Sequence, residues 1–182
     1  NTNAFVEQSF LHELSQLGER DHVEFLLELM GERRWIKDGD ISALNTGRAI
    51  DCIKLAAEKA GWGKTLPEGK GLGLAFYFCH AAHVAEIVEV SVDEDRNYHV
   101  DKVTVAVDVG PIINMSGATN QIQGSIVDGL STMAGQQITM SNGAIEQDNF
   151  HQYPVMRIAA TPEIDVHFIQ SENRPTGLGE PA

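Results

Sequence analysis

The chain has 182 residues, of which 42% are apolar and 21% charged, and its formal net charge is −13. That composition fits a soluble globular protein with one domain or two small lobes. The acidic excess leaves no basic stripe to neutralise phosphates, which argues against nucleic-acid binding, and no apolar run is long enough for a transmembrane segment.

The first residues, Asn1-Thr2-Asn3-Ala4-Phe5, carry no basic n-region and no initiator Met, so both this end and the glycine-proline end are expected to be cuts from a longer chain. Residues 4–18 read as an amphipathic helix with Phe10, Leu14 and Leu17 on its apolar face, Val6 beside them and Gly18 at its end. Asp21 and Glu24 form a capping box for a second helix, whose apolar residues are Phe25, Leu26, Leu29 and Met30. A short connection predicts that the two pack antiparallel. A third helix is expected to start at Asp40 or Ser42, to turn Ile50, Ile53 and Ala57 inward, and to close at Gly61.

Glycines and a proline crowd residues 61–73, and the hydrophobic period then changes from helical to alternating. The expected organisation is therefore a helical lobe at 1–60, a glycine-rich linker at 61–73 and a mixed lobe at 74–182. Gly73 to His80 reads as a strand. The valines from Val84 to Val92 and from Val103 to Val109 flank a turn at Asp93 to Asn97 and predict an antiparallel hairpin. Residues 117–134 return to helical spacing, with Ala118, Ile122, Ile126, Leu130 and Met133 facing a core. The glycines at 117, 124 and 129 weaken that helix and suit a close neighbour, either another helix or a cofactor. A short hairpin is expected around Asn142-Gly143, and Ile164 to Ile169 alternates as a last strand.

Several constellations bear on chemistry. His80 and His83 are three apart on a strand pattern, where they point to opposite faces, so a shared metal ion is disfavoured. Gly71-Leu72-Gly73 precedes a strand, the reverse of the dinucleotide-binding order. No Gly-x-Ser-x-Gly elbow supports a serine hydrolase. Cys52 and Cys79 read as reduced structural thiols. Asp108 ends a valine strand and either caps the next turn or points into a site. Gln121 offers an amide donor and acceptor suited to ring nitrogens or phosphate oxygens, or simply faces solvent. The last stretch, Pro175-Thr176-Gly177-Leu178-Gly179-Glu180-Pro181-Ala182, sets one acid in a stiff frame. A carboxylate held there with limited hydration suits a general base, and a surface turn is the plainer alternative.

These segments occur in one order: Val84-Ala85-Glu86-Ile87-Val88-Glu89-Val90-Ser91-Val92, Ala106-Val107-Asp108-Val109-Gly110, Gln121-Ile122-Gln123-Gly124 with Gly129-Leu130, and Gly177-Leu178-Gly179-Glu180-Pro181. Asn3-Ala4-Phe5 and Asn149-Phe150 with Tyr153 and Arg157 accompany them. Together they resemble the molybdenum-binding subunit of the xanthine dehydrogenase and aldehyde oxidase family, in particular the isoquinoline 1-oxidoreductase β-subunit group and its aldehyde dehydrogenase relatives. The resemblance implies an α+β fold, a piece of a molybdopterin-binding domain. It implies molybdopterin, usually as the cytosine dinucleotide, with molybdenum, and iron–sulfur clusters on a partner subunit. It implies hydroxylation of an aldehyde or aromatic N-heterocycle with water as the oxygen source. In that chemistry Glu180 would be the base on the molybdenum-bound hydroxyl, and Gln121 would contact the pterin. The sequence departs from the family at Met115, where a proline is usual after Asn114. The family's upstream pterin loops are also absent from this stretch. The chain is therefore expected to need the remainder of its own subunit and to bind no molybdenum and turn over nothing alone. A non-catalytic binding or assembly module with the same fold is the alternative. By resemblance the expected location is periplasmic, with the cytoplasm as the alternative.

Overall fold

The computed structural model describes residues 2–182; Asn1, the first residue of the expected helical lobe, lies outside them. Helices α1 (Thr2–Leu17), α2 (His22–Met30) and α3 (Thr46–Ala60) precede strands β1 (Lys70–Cys79), β2 (Ala82–Val92) and β3 (Tyr98–Asp108). Helix α4 (Met115–Gly135), a two-residue-strand hairpin of β4 (Met140–Ser141) and β5 (Ala144–Ile145), and β6 (Glu163–Phe168) complete the α+β fold. The main sheet has the order β1-β2-β3-β6, antiparallel except that β6 lies parallel to β3.

Strand alternation gives the sheet two apolar faces. Leu74, Phe76, Ala85, Ile87 and Ala106 form one, which packs with Val23 and Leu26 of α2 and Ala49, Cys52, Ile53 and Ala56 of α3. Val84, Val103, Val105 and Val107 form the other, covered by Ile122 and Ile126 of α4. Helices and sheet thus share one core on the first face, and α4 closes the second.

The expected α1 is present, but its face is not the expected one. Phe10, Leu14 and Leu17 are exposed, Leu17 at 83%, whereas Gln8, Leu11 and Ser15 point inward. The reason is polar pairing. Gln8 Oε1 accepts the N–H of Phe76 at 3.0 Å, on the free edge of β1. Buried Ser15 sits 3.0 Å from Nδ1 of buried His22. A pattern of apolar residues alone points away from such a face.

Helix α2 begins as its cap predicts, with Asp21 Oδ1 accepting the N–H of Glu24 at 3.0 Å, although Leu29 is exposed and Val23 takes the inner place. Helix α3 starts later than expected, at Thr46, where the Asn45 side chain accepts the N–H of Arg48. Asp40 instead caps its own turn at Ser42, and residues 34–36 pair with residues 44–46, which holds that stretch extended. Gly61 closes α3 in the left-handed region as expected. Gly71, expected in the linker, is a residue of β1 opposite Val90, and Gly73, the expected first residue of the strand, lies opposite Val88. In α4, Met133 is exposed rather than inward, and Asn142 and Gly143 both take positive φ at the tip of the expected hairpin.

Candidate functional site

The site is built where the C-terminal segment returns across the end of the sheet. After β6, the N–H of Ile169 donates to Val107 O at 2.8 Å and that of Thr176 to Val109 O at 3.1 Å. The N–H of Gly177 donates to His80 O at 3.2 Å. His80 and Ala81, both at positive φ, form the tight turn between β1 and β2. Two glycines let the segment come this close. A Cβ on Gly177 would lie 2.6 Å from Cβ of His80, and one on Gly179 would lie 2.5 Å from Oε1 of Gln121.

The result is a cavity of about 550 Å³ between α4 and the segment, shared by Gln121, Glu180 and His80 and lined further by Cys79, Asn120 and Ser125. The two residues that the sequence singles out, 59 positions apart, therefore meet at one cavity. Ser125 Oγ donates to the carbonyl of Ala182, which ties the segment to α4. His80, which the sequence did not single out for this site, places Nε2 at 2.9 Å from Oε2 of Glu180. No signal in the sequence marks it, because turns of this kind usually use Asn-Gly rather than His-Ala. The limited hydration expected of Glu180 is not met within these residues: its side chain is 80% exposed. Its one charged partner among the described residues is His80.

Beneath the segment lies a buried anchor. Arg48 of α3 donates from Nε to Asp108 Oδ2 at 2.8 Å and from Nη2 to Oδ1 at 2.9 Å. Ser171 Oγ donates to Asp108 Oδ1 at 2.7 Å, and the N–H of Gly110 to the same oxygen at 3.2 Å. Burial alone would raise the Asp108 carboxyl, but the bonds from Arg48 and Ser171 outweigh it and hold the group below the ordinary carboxylate value. Asp108 thus caps the turn, as one of its two expectations had it, and also grips the segment that carries Glu180. Next to it His83 is buried, and its Nε2 accepts the N–H of Asn45 at 3.0 Å. Burial, with Arg48 nearby, lowers its pKa to about 4. His80 lies in the turn rather than on a strand and meets Glu180, whereas His83 is bonded to Asn45. Among the described residues no group of three or more His, Cys, Asp or Glu side chains is placed to hold a metal ion. Both cysteines are free thiols, and burial pushes that of Cys52 up.

The α4 wall bears on what the cavity accepts. Gly124 and Gly129 line it, and a Cβ at either would meet nothing within 4 Å, so the helix backbone is open to a ligand rather than to a packed helix. Amide, hydroxyl and carboxylate groups of Gln121, Asn120, Ser125 and Asp128 offer donors and acceptors at this wall. They fit the edge of a pterin ring. No Lys or Arg lines the cavity, so a phosphate would find no cationic partner there.

The chain belongs to the molybdopterin cofactor-binding domain family, whose model matches residues 28–162. That range contains Gln121 and ends before Glu180. The membrane-bound aldehyde dehydrogenase (pyrroloquinoline-quinone) of Gluconacetobacter polyoxogenes is 32% identical over 96% of this chain and 23% of its own length. The isoquinoline 1-oxidoreductase β subunit of Brevundimonas diminuta is 28% identical over 97% of this chain and 21% of its own. A nicotinate dehydrogenase subunit of Pseudomonas putida is 27% identical over 99% of this chain and 16% of its own. The chain thus spans about a quarter or less of these relatives. No helix among the described residues is long and apolar enough to cross a membrane.

Proposed function

We propose that the whole protein is a molybdenum hydroxylase that oxidises an aldehyde or an aromatic N-heterocycle, and that this stretch supplies its base and one wall of its cofactor site. The observation that carries the reading is the meeting of Glu180 and Gln121 at one cavity beside open helix backbone. When bound, molybdopterin with molybdenum supplies the redox chemistry, with water as the oxygen source. The cytosine dinucleotide form and a partner subunit carrying iron–sulfur clusters belong to the same proposal, supported by the relatives that are named as subunits of oxidoreductases.

Within that reading each side chain has a task. Gln121, held against Gly179, presents its amide to a pterin edge. Glu180 takes the proton from the attacking oxygen nucleophile. His80, hydrogen-bonded to the carboxylate when its Nε2 carries a proton, fixes the direction of the acid. Asp108 and Arg48 hold the segment in place from below. The remainder of the subunit covers the exposed side of Glu180 and supplies the cationic partners that a phosphate needs.

The test is Glu180→Gln in the full subunit. Turnover is expected to fall by at least about a thousandfold with cofactor content near normal, the range over which removal of a catalytic group acts. Full turnover in that variant would remove Glu180 from the chemistry. A subunit that never loads molybdopterin would support the alternative of a non-catalytic module. Metal analysis of the 182-residue chain alone is expected to find no stoichiometric molybdenum.

A further inference from the structure

Helix α4 ends at Gly135, and the chain then leaves it as an arm that returns at Pro154. Both feet of the arm stand on the end of α4. A Cβ on Gly135 would lie 3.4 Å from Cγ of Pro154, and the N–H of Met156 donates to Oγ of buried Ser131 at 2.9 Å. Between the feet, polar groups hold the shape. The N–H of Thr139 donates to Gln147 Oε1 at 2.7 Å, and Gln147 Nε2 donates to Thr139 Oγ1 at 2.8 Å. The N–H of Asp148 donates to Gln152 Oε1 at 2.8 Å.

The apolar side chains lie on the outside. Met140 and Ile145 are opposite each other across the β4–β5 pair, so they share a face, and both are exposed. Ile138 is exposed beside them, and Phe150 is 86% exposed. Thr139 and Gln147, by contrast, are half-buried. Scattered exposed apolar residues are ordinary on a protein surface. An ordered arm that turns its polar groups in and its large apolar groups out is instead shaped to be covered.

We propose that this arm is the docking element on which the remainder of the same subunit seats, and that the seated part closes the cavity over the exposed Glu180. The family model spans the whole arm, which is therefore part of the domain and not an addition to it. The chain is about a quarter or less of the relatives it matches, so most of such a subunit is available as cover. The foot at Ser131 is two residues beyond Gly129, which lines the cavity, so a body resting on the arm stands beside that cavity. A second copy fits less well, because each chain has a formal charge of −13 and pairing would set like charge against like. The docking rests on the proposed function only in treating the chain as part of a longer subunit; it does not require Glu180 to be a base.

Met140 reports the cover directly, since peroxide oxidises an exposed thioether and spares a covered one. In the full subunit, purified without any other chain, sulfoxide formation at Met140 is followed by mass spectrometry. It is expected to be several-fold slower in the native protein than in the urea-unfolded one, at every protein concentration. Equal rates would overturn the proposal. Slowing that vanishes on dilution would assign the cover to a second copy, and slowing that needs an added subunit would assign it to that subunit; either overturns it.

The oxidation test needs no variant to fold. A second measurement tests the closing of the cavity: Met140→Ser combined with Phe150→Ser in the full subunit should lower molybdopterin content per folded subunit several-fold. Full content in that variant would overturn the closing role. Slow Met140 oxidation in a subunit whose Glu180→Gln variant still turns over would refute the base and leave the docking arm standing.

Discussion

Two acids flank the C-terminal segment in opposite surroundings. Asp108 is buried beneath it, paired with Arg48 and bonded by Ser171 and Gly110. Glu180 projects from its far end into the open, with His80 as its one partner among the described residues. The same stretch of backbone is therefore gripped firmly at one end and left free to react at the other. On the proposed reading a base needs a fixed position and an available lone pair, and the two carboxylates would divide these demands between them. The fold buries its rigid ion pair of Arg48 and Asp108 and leaves the Glu180 carboxylate at the surface.

The comparison is broken most severely at the buried end. Asp108→Ala leaves the Arg48 guanidinium buried without a partner and removes the acceptor for Ser171. The expected loss is about 3–5 kcal/mol of unfolding free energy, measured by denaturant titration. A cost under about 1 kcal/mol would mean that the pair does not anchor the segment. The segment should also become more exposed to proteolysis than the helices, because its backbone contacts run through Val109 and His80.

Glu86 is a third acid that sharpens the contrast, since its Oε1 is sealed from solvent yet it has no cation among the described residues. Its carboxyl moves from an ordinary value of 4.5 to about 7 because of burial. Between these values the folded chain holds a proton that the unfolded chain has released, so stability falls as pH rises through the window. It is least affected below the lower value, and the loss is complete above the upper one. Glu86→Gln removes the charge and keeps the shape. It is expected to stabilise the chain by about 2–3 kcal/mol at alkaline pH and hardly at all in mild acid. Unfolding curves that stay equally separated across that range would show that Glu86 is solvated.

What the sequence makes legible here depends on where the interactions lie. The β2–β3 hairpin is plain because its valines alternate and its turn is local. Helix α2 starts where Asp21 says it does for the same reason. The inner face of α1 is hidden, since Gln8 points inward to a backbone N–H 68 residues away and Ser15 to His22 on the next helix. Gly71 reads as linker because its strand pairing with Val90 is a tertiary fact. Arg48 and Asp108 are 60 positions apart, and nothing local marks the arginine as a partner. The order of the motifs, by resemblance, named Gln121 and Glu180; their proximity emerges only once the segment crosses α4.

The smallest expected effects belong to the exposed end, and they discriminate most finely. Glu180→Gln should leave the denaturation curve of the chain unchanged, because the side chain is mostly in water. Gly179→Ala is subtler. The added methyl would sit 2.5 Å from Oε1 of Gln121, the far end of a flexible side chain, which can swing aside. The expected cost to folding is therefore below about 1 kcal/mol. The amide of Gln121 would leave the cavity wall all the same. In the full subunit this variant should load less molybdopterin while folding normally, a pattern that Glu180→Gln should not show. Metal content per folded subunit separates the two: if Gly179→Ala loads cofactor fully, the position of the Gln121 amide does not matter to binding, and the acid alone carries the site.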